Sequence, residues 1–253
     1  MLSDRIRAMG APHWLALFGM ILGAWLLLYL MAEPAGLRDA VAVYGRDYWR
    51  DFCTLTPDAA GFARMAAMWA LMTAAMMAPT VLPALATYED LRHAGAAPRP
   101  GVLVAGYLAV WLGYSLLAAA AQLALFSAGL MDPLGQRAVP VLSAFLLAGA
   151  GVYQFAPMKE ACLSRCRRPL VFFMQYWDEG PWRNGLRLGL VCLGCCWALM
   201  ALAFVGGVMN LAVMGLATLI MVLEKLPGIG RFVTRPLGVV LIAAAALRLA
   251  TIV

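Results

Sequence analysis

The chain has 253 residues, of which 64% are hydrophobic and 13% charged, with a formal net charge of +6. A soluble domain carries about a quarter of its residues as charges, so a chain this poor in charge cannot cover a globular surface with polar groups. The composition excludes a soluble enzyme and leaves an integral membrane protein. The positive charge does not point to nucleic acid, because no basic run carries interleaved aromatics. It fits the Lys and Arg that gather in the cytoplasmic loops of membrane proteins.

Apolar stretches of about 17–25 residues have the length of a membrane-crossing helix. Seven are predicted, over residues 14–31, 62–86, 102–126, 140–156, 186–205, 208–223 and 237–252. The expected fold is therefore all-α, a single polytopic helix bundle over 1–253. The division between the fifth and sixth spans rests on Gly206-Gly207 and is also compatible with one bent helix or a tight hairpin. Arg5 and Arg7 ahead of the first apolar run resemble a signal peptide, but its length and its Leu30-Met31-Ala32 ending favour an uncleaved first helix.

With the N-terminus inside, Arg5, Arg7, Arg92, Arg99, Lys159, Arg165, Arg167, Arg168, Arg183, Arg187, Lys225, Arg231 and Arg235 face the cytoplasm. Arg38, Arg46, Arg50, Arg64 and Arg137 face the other side. Thirteen against five sets the orientation by the positive-inside rule. The outer loop between the first two spans holds Tyr44, Tyr48, Trp49 and Phe52, which read as interfacial anchors, and a lone Cys53.

In the second span, Met65, Met68, Met72 and Met76 are spaced 3, 4 and 4 and form one stripe, with Met77 beside them. Pro79 and Pro83 each remove a backbone donor, and in a bilayer the freed carbonyls need a partner. Methionine is most often an adaptable packing residue. Its thioether is also a neutral, soft donor suited to Cu(I). Met200 and Met209 extend the methionine set into the later spans.

Five of the six cysteines fall in two clusters. Cys162 and Cys166 stand four apart at the end of the fourth span; Cys192, Cys195 and Cys196 follow inside the fifth. Residues at i, i+3 and i+4 share a helix face, so each cluster points its thiols one way. Both lie in the cytoplasmic half, where thiols stay reduced. Lys159, Arg165, Arg167 and Arg168 flank the first pair and favour thiolate. One buried cysteine is a small inert hydrophobe; five in two face-matched clusters point to a metal. Soft thiolates select Cu(I), Zn(II) or an iron–sulfur cluster. His13 and His93 read as interfacial or solvated side chains rather than ligands.

Four further expectations follow. Tyr153-Gln154 is a candidate pair of donors to the thiols, and Asn210 a hydrogen-bonding group across helices. Glu224-Lys225 reads as a neighbouring charge pair at the interface. Gly106, Gly113, Gly149, Gly151, Gly185 and Gly189 would permit close helix packing.

Several of these stretches together resemble a bacterial family of predicted metal-binding integral membrane proteins, some of whose members are labelled copper chaperones. They are Trp69, Met72 and Met76-Met77-Ala78-Pro79; Tyr153 to Lys159 running into Cys162-Leu-Ser-Arg-Cys166-Arg167-Arg168-Pro169; Cys192-Leu-Gly-Cys195-Cys196-Trp197; Met209-Asn210; and Glu224-Lys225. They cover about residues 60–235. The family has Leu where Met158 stands, and often a His shortly before the second cysteine of the first pair, where this chain has Ser164-Arg165. The resemblance implies a multi-spanning metal-binding protein of the bacterial inner membrane and supplies no reaction.

The function expected is Cu(I) handling, by transport or by delivery to a metallochaperone or metalloenzyme. Its ligand set would be Cys162, Cys166, Cys192, Cys195 and Cys196, with Met72, Met76, Met77, Met200 and Met209 as soft donors in the bundle. A structural zinc or iron–sulfur site in an assembly factor is the alternative. A membrane thiol oxidoreductase is disfavoured, because adjacent Cys195 and Cys196 point about 100° apart on a helix.

Overall fold

The computed structural model describes residues 12–32, 58–91, 99–132 and 136–251. Cys53, His93 and the aromatic anchors Tyr44, Tyr48, Trp49 and Phe52 lie outside the described residues, as does the side chain of His13. Ten α-helices run through the described residues. They are α1 (Pro12–Ala32), α2 (Ala59–Asp90), α3 (Pro100–Ser127), α4 (Pro140–Tyr153) and α5 (Pro157–Cys166). After them come α6 (Pro169–Tyr176), a 3-10 turn (Trp177–Glu179), α7 (Gly180–Ala201), the single turn α8 (Ala203–Gly206), α9 (Leu211–Lys225) and α10 (Gly230–Ala250). Among the described residues the only extended pairing is an isolated bridge between Met131 and Ala138.

Proline opens several of these helices. Pro100, Pro140, Pro157 and Pro169 each stand at the first helical position, where the missing N–H is an orphan in any case. Asp58 starts α2 by accepting from the Gly61 amide at 2.7 Å. Pro157 also explains a bend. Ala156 before it is extended at ψ 135, as a residue preceding proline prefers, and α4 and α5 meet at 64°.

Among the described residues, five helices are long and apolar enough to cross a membrane: Trp14–Met31, Ala59–Asp90, Pro100–Ser127, the run Pro169–Gly206, and Gly230–Ala250. The bent pair α4–α5 makes up to six. Of the seven predicted spans, 208–223 becomes α9, whose 15 residues fall short of the about 20 that a full crossing takes. The chain does break at Gly206-Gly207: Gly207 has φ +101, a conformation that disfavours any side chain, and α9 starts afresh at Leu211.

Small residues set the packing. A Cβ on Gly106 would lie 2.5 Å from the Trp182 carbonyl, and one on Gly185 would lie 2.2 Å from the Leu103 carbonyl. Helices α3 and α7 therefore touch backbone to backbone, as the glycine pattern predicts. Gly189 and Gly151 are also at close contacts, whereas Gly113 and Gly149 face open space. Helix α2 lies at the centre, packed against α1, α3 and α9. It runs unbroken through Pro79 and Pro83. The carbonyl that Pro79 frees is that of Ala75, and the Trp25 indole of α1 donates to it at 3.0 Å. That bond answers the deficit predicted at Pro79 from within the protein.

Candidate metal centre

Helix α7 carries Cys192, Cys195 and Cys196 on its buried face. Their three sulfurs all lie within 4.8 Å of one another. The Cys195 and Cys196 sulfurs are 3.3 Å apart, and the Cys195 thiol donates to the Cys192 carbonyl at 3.1 Å. The 100° between adjacent helical positions does not keep these side chains apart, because both can lean toward the same neighbour. At 3.3 Å they are free thiols, well beyond the ~2.05 Å of a disulfide. A metal–thiolate bond of ~2.3 Å fits a sulfur triangle with sides of about 4 Å, and this cluster is close to that size.

Helix α5 brings the other pair. Lys159, Cys162, Leu163 and Cys166 fall at i, i+3, i+4 and i+7 and form its inward face. The Cys166 sulfur lies 4.0 Å from that of Cys195. The Cys162 sulfur rests on Gly194, where a Cβ would be 2.6 Å from it. A side chain at 194 would meet that sulfur, which would have to turn away. The two clusters differ in exposure: Cys162 and Cys166 are half-buried, Cys192, Cys195 and Cys196 fully buried.

A lysine completes the centre. Lys225, the last residue of α9, donates to the Cys192 sulfur at 3.0 Å and to the Thr80 hydroxyl at 2.7 Å. Tyr107 of α3 places its hydroxyl 3.2 Å from the same sulfur and donates to the Met77 carbonyl at 3.1 Å. Thr80 donates to that carbonyl as well, at 2.8 Å. A charge inside a bundle needs an opposite partner, and Cys192 stands where the partner of Lys225 must be.

Glu224 and Lys225 are thus not an interfacial pair. They are buried and face different ways. Glu224 accepts from Lys159 at 2.9 and 3.0 Å, Lys159 also bonds the Gln154 side-chain oxygen, and Arg167 donates to the Glu224 carbonyl at 2.8 Å. Two further expectations change. Tyr153 donates to the Gly194 carbonyl and Gln154 to no thiol, so that pair braces the helices. Asn210 caps α9 through the Ala212 and Val213 amides and donates to the Gly206 carbonyl, within its own loop.

The methionines are placed less closely. Met72, Met76, Met77 and Met200 are buried and Met209 is half-buried. Met77 meets the centre through its carbonyl. From Met76 the stripe leads away along α2 to Met65, eleven residues or roughly 16 Å at 1.5 Å each. Beside it runs a buried polar seam with α3, in which Trp69 donates to Gln122 at 2.7 Å and Thr73 pairs with Ser115 at 3.0 Å.

Sequence reasoning missed Lys225, Tyr107 and Thr80 as parts of the centre. The signal available was an ionisable pair closing an otherwise apolar helix, which marks a functional position by default.

Apolar spans around a buried cysteine cluster define the class: an integral membrane protein with a site that fits metal binding. The sequence profile of the family PpoB2, described as copper chaperone, matches residues 66–248, and the chain belongs to that family. No curated protein and no solved structure matches the chain.

Proposed function

We propose that the protein binds Cu(I) at Cys192, Cys195 and Cys196 and either carries it across the membrane or hands it to a metallochaperone or metalloenzyme. The observation that carries this reading is the set of three buried sulfurs within 4.8 Å of one another, with the Lys225 ammonium 3.0 Å from one of them. Thiolates are soft ligands that suit Cu(I), and the family's description favours copper over other soft metals. Cu(I) held by two thiolates is an anion, and Lys225 supplies the opposite charge without which burial is costly. Met72, Met76, Met77, Met200 and Met209 are neutral soft donors for the ion's route through the bundle, whether that route ends in transport or in delivery. The setting is the bacterial inner membrane with the N-terminus cytoplasmic, on the loop charges.

A structural zinc site is the second reading. Zinc takes four ligands, and Cys166, 4.0 Å from Cys195, is in reach as the fourth. Metal analysis of anaerobically purified protein separates the two. Copper at one or more per chain, falling when Cys195 and Cys196 become Ser, supports Cu(I) handling. Zinc lost in the same way supports the structural site, and copper binding unchanged in the double variant sinks the proposal.

A further inference from the structure

Cys192, Cys195 and Cys196 are 2%, 0% and 1% exposed, so an ion arriving from outside meets other groups first. The sulfurs it meets are those of Cys162 and Cys166, half-buried on α5. Cys166 is the half-buried sulfur 4.0 Å from the buried set. Resting on the reading of Cys192, Cys195 and Cys196 as the Cu(I) site, we infer that Cys162 and Cys166 form a separate loading site, which takes Cu(I) in two-coordinate form and passes it inward through Cys166.

Three features of the fold serve this transfer. The i, i+4 spacing on α5 puts both thiols on one face, with Cβ atoms about 5–6 Å apart. The absence of a side chain at Gly194 lets the Cys162 sulfur lie against the strip of α7 that bears the buried cysteines. Lys159 to Glu224, and Arg167 to the Glu224 carbonyl, clamp α5 to the same α9 end whose next residue, Lys225, holds Cys192. The two sites are therefore held at a fixed separation.

The step is ligand exchange with copper remaining +1. Cu(I) leaves the sulfur of Cys162 and bonds that of Cys195 while Cys166 holds it from the other side. The proton on the incoming Cys195 thiol passes to the departing Cys162 thiolate. A second exchange replaces Cys166 by Cys196, whose thiol proton passes to the departing Cys166 thiolate. No electron moves and no proton is gained or lost overall.

The test follows loading of the full-length, detergent-purified apoprotein with Cu(I) supplied as its bicinchoninate complex under anaerobic conditions, by stopped-flow loss of the chelate's colour. Cys162→Ser/Cys166→Ser slows loading of the buried site at least tenfold and leaves its final affinity within threefold of wild type. Cys166→Ser alone, at the last turn of α5 and with the Gly194 contact intact, carries the same prediction should the double variant fold poorly. An unchanged rate in Cys166→Ser overturns the loading site. So does slower loading with affinity lowered more than threefold, which makes Cys166 a resident ligand. Copper held by Cys192→Ser/Cys195→Ser/Cys196→Ser as tightly as by the wild type, in competition with a Cu(I) chelator, overturns instead the assignment of the buried site, whatever the rates.

Discussion

Two buried lysines, both brought to the end of α9, show how differently one residue type is used. Lys159 is 0% exposed and surrounded by acceptors: both oxygens of Glu224 and the Gln154 side chain. Its charge is balanced by protein alone, and it ties α5 to α9. Lys225 has a hydroxyl and a sulfur as partners. Its charge is balanced only if that sulfur, or a complex built on it, is negative. Glu224 and Lys225, adjacent in the sequence, thus end in a structural latch and in the candidate metal centre, and the chemistry of its partners rather than its burial tells one lysine from the other.

The comparison breaks if the same substitution acts alike at both sites. Lys159→Met leaves Glu224 buried without its cation, at a cost of about 3–5 kcal/mol, read as a large fall in unfolding temperature in detergent. Lys225→Met leaves a thiol that becomes neutral by keeping its proton, so its stability falls far less than that of Lys159→Met. Its Cu(I) affinity drops at least tenfold, or about 1.4 kcal/mol, by competition with a Cu(I) chelator, and Lys225→Arg recovers part of that loss. Thr80→Val, which removes one neighbour of Lys225 but not the charge, lowers affinity by less than Lys225→Met. Equal losses of stability at the two lysines would erase the distinction.

The parts of this molecule legible in sequence are those fixed by local periodicity. The apolar lengths of α1, α2 and α3 and the face-sharing of Cys192, Cys195 and Cys196 follow from 1.5 Å and 100° per residue. The glycines at 106, 185 and 189 fit because a helix contact needs room at one spacing. What stayed hidden depends on how remote segments meet. Nothing local to Leu223-Glu224-Lys225 says that its two charges diverge, one to α5 and one to α7. Pro157 signals a break, but not that the bend lays Cys162 on Gly194. Pro79 announces an orphan carbonyl without naming Trp25, fifty residues away, as its donor. The vicinal pair fails for a different reason: backbone angle alone ignores side-chain rotation, which brings the two sulfurs to 3.3 Å.

Copper-edge X-ray absorption of the anaerobic, copper-loaded protein reads the atoms bound to the ion. After equilibration with a competing Cu(I) chelator, the buried site gives a shell of two or three sulfur neighbours at a metal–thiolate distance of roughly 2.3 Å, and Cys192→Ser/Cys195→Ser/Cys196→Ser gives up both that shell and the copper to the chelator. A nitrogen or oxygen shell in the wild type, or the same sulfur shell kept by the triple variant against the chelator, would contradict that assignment.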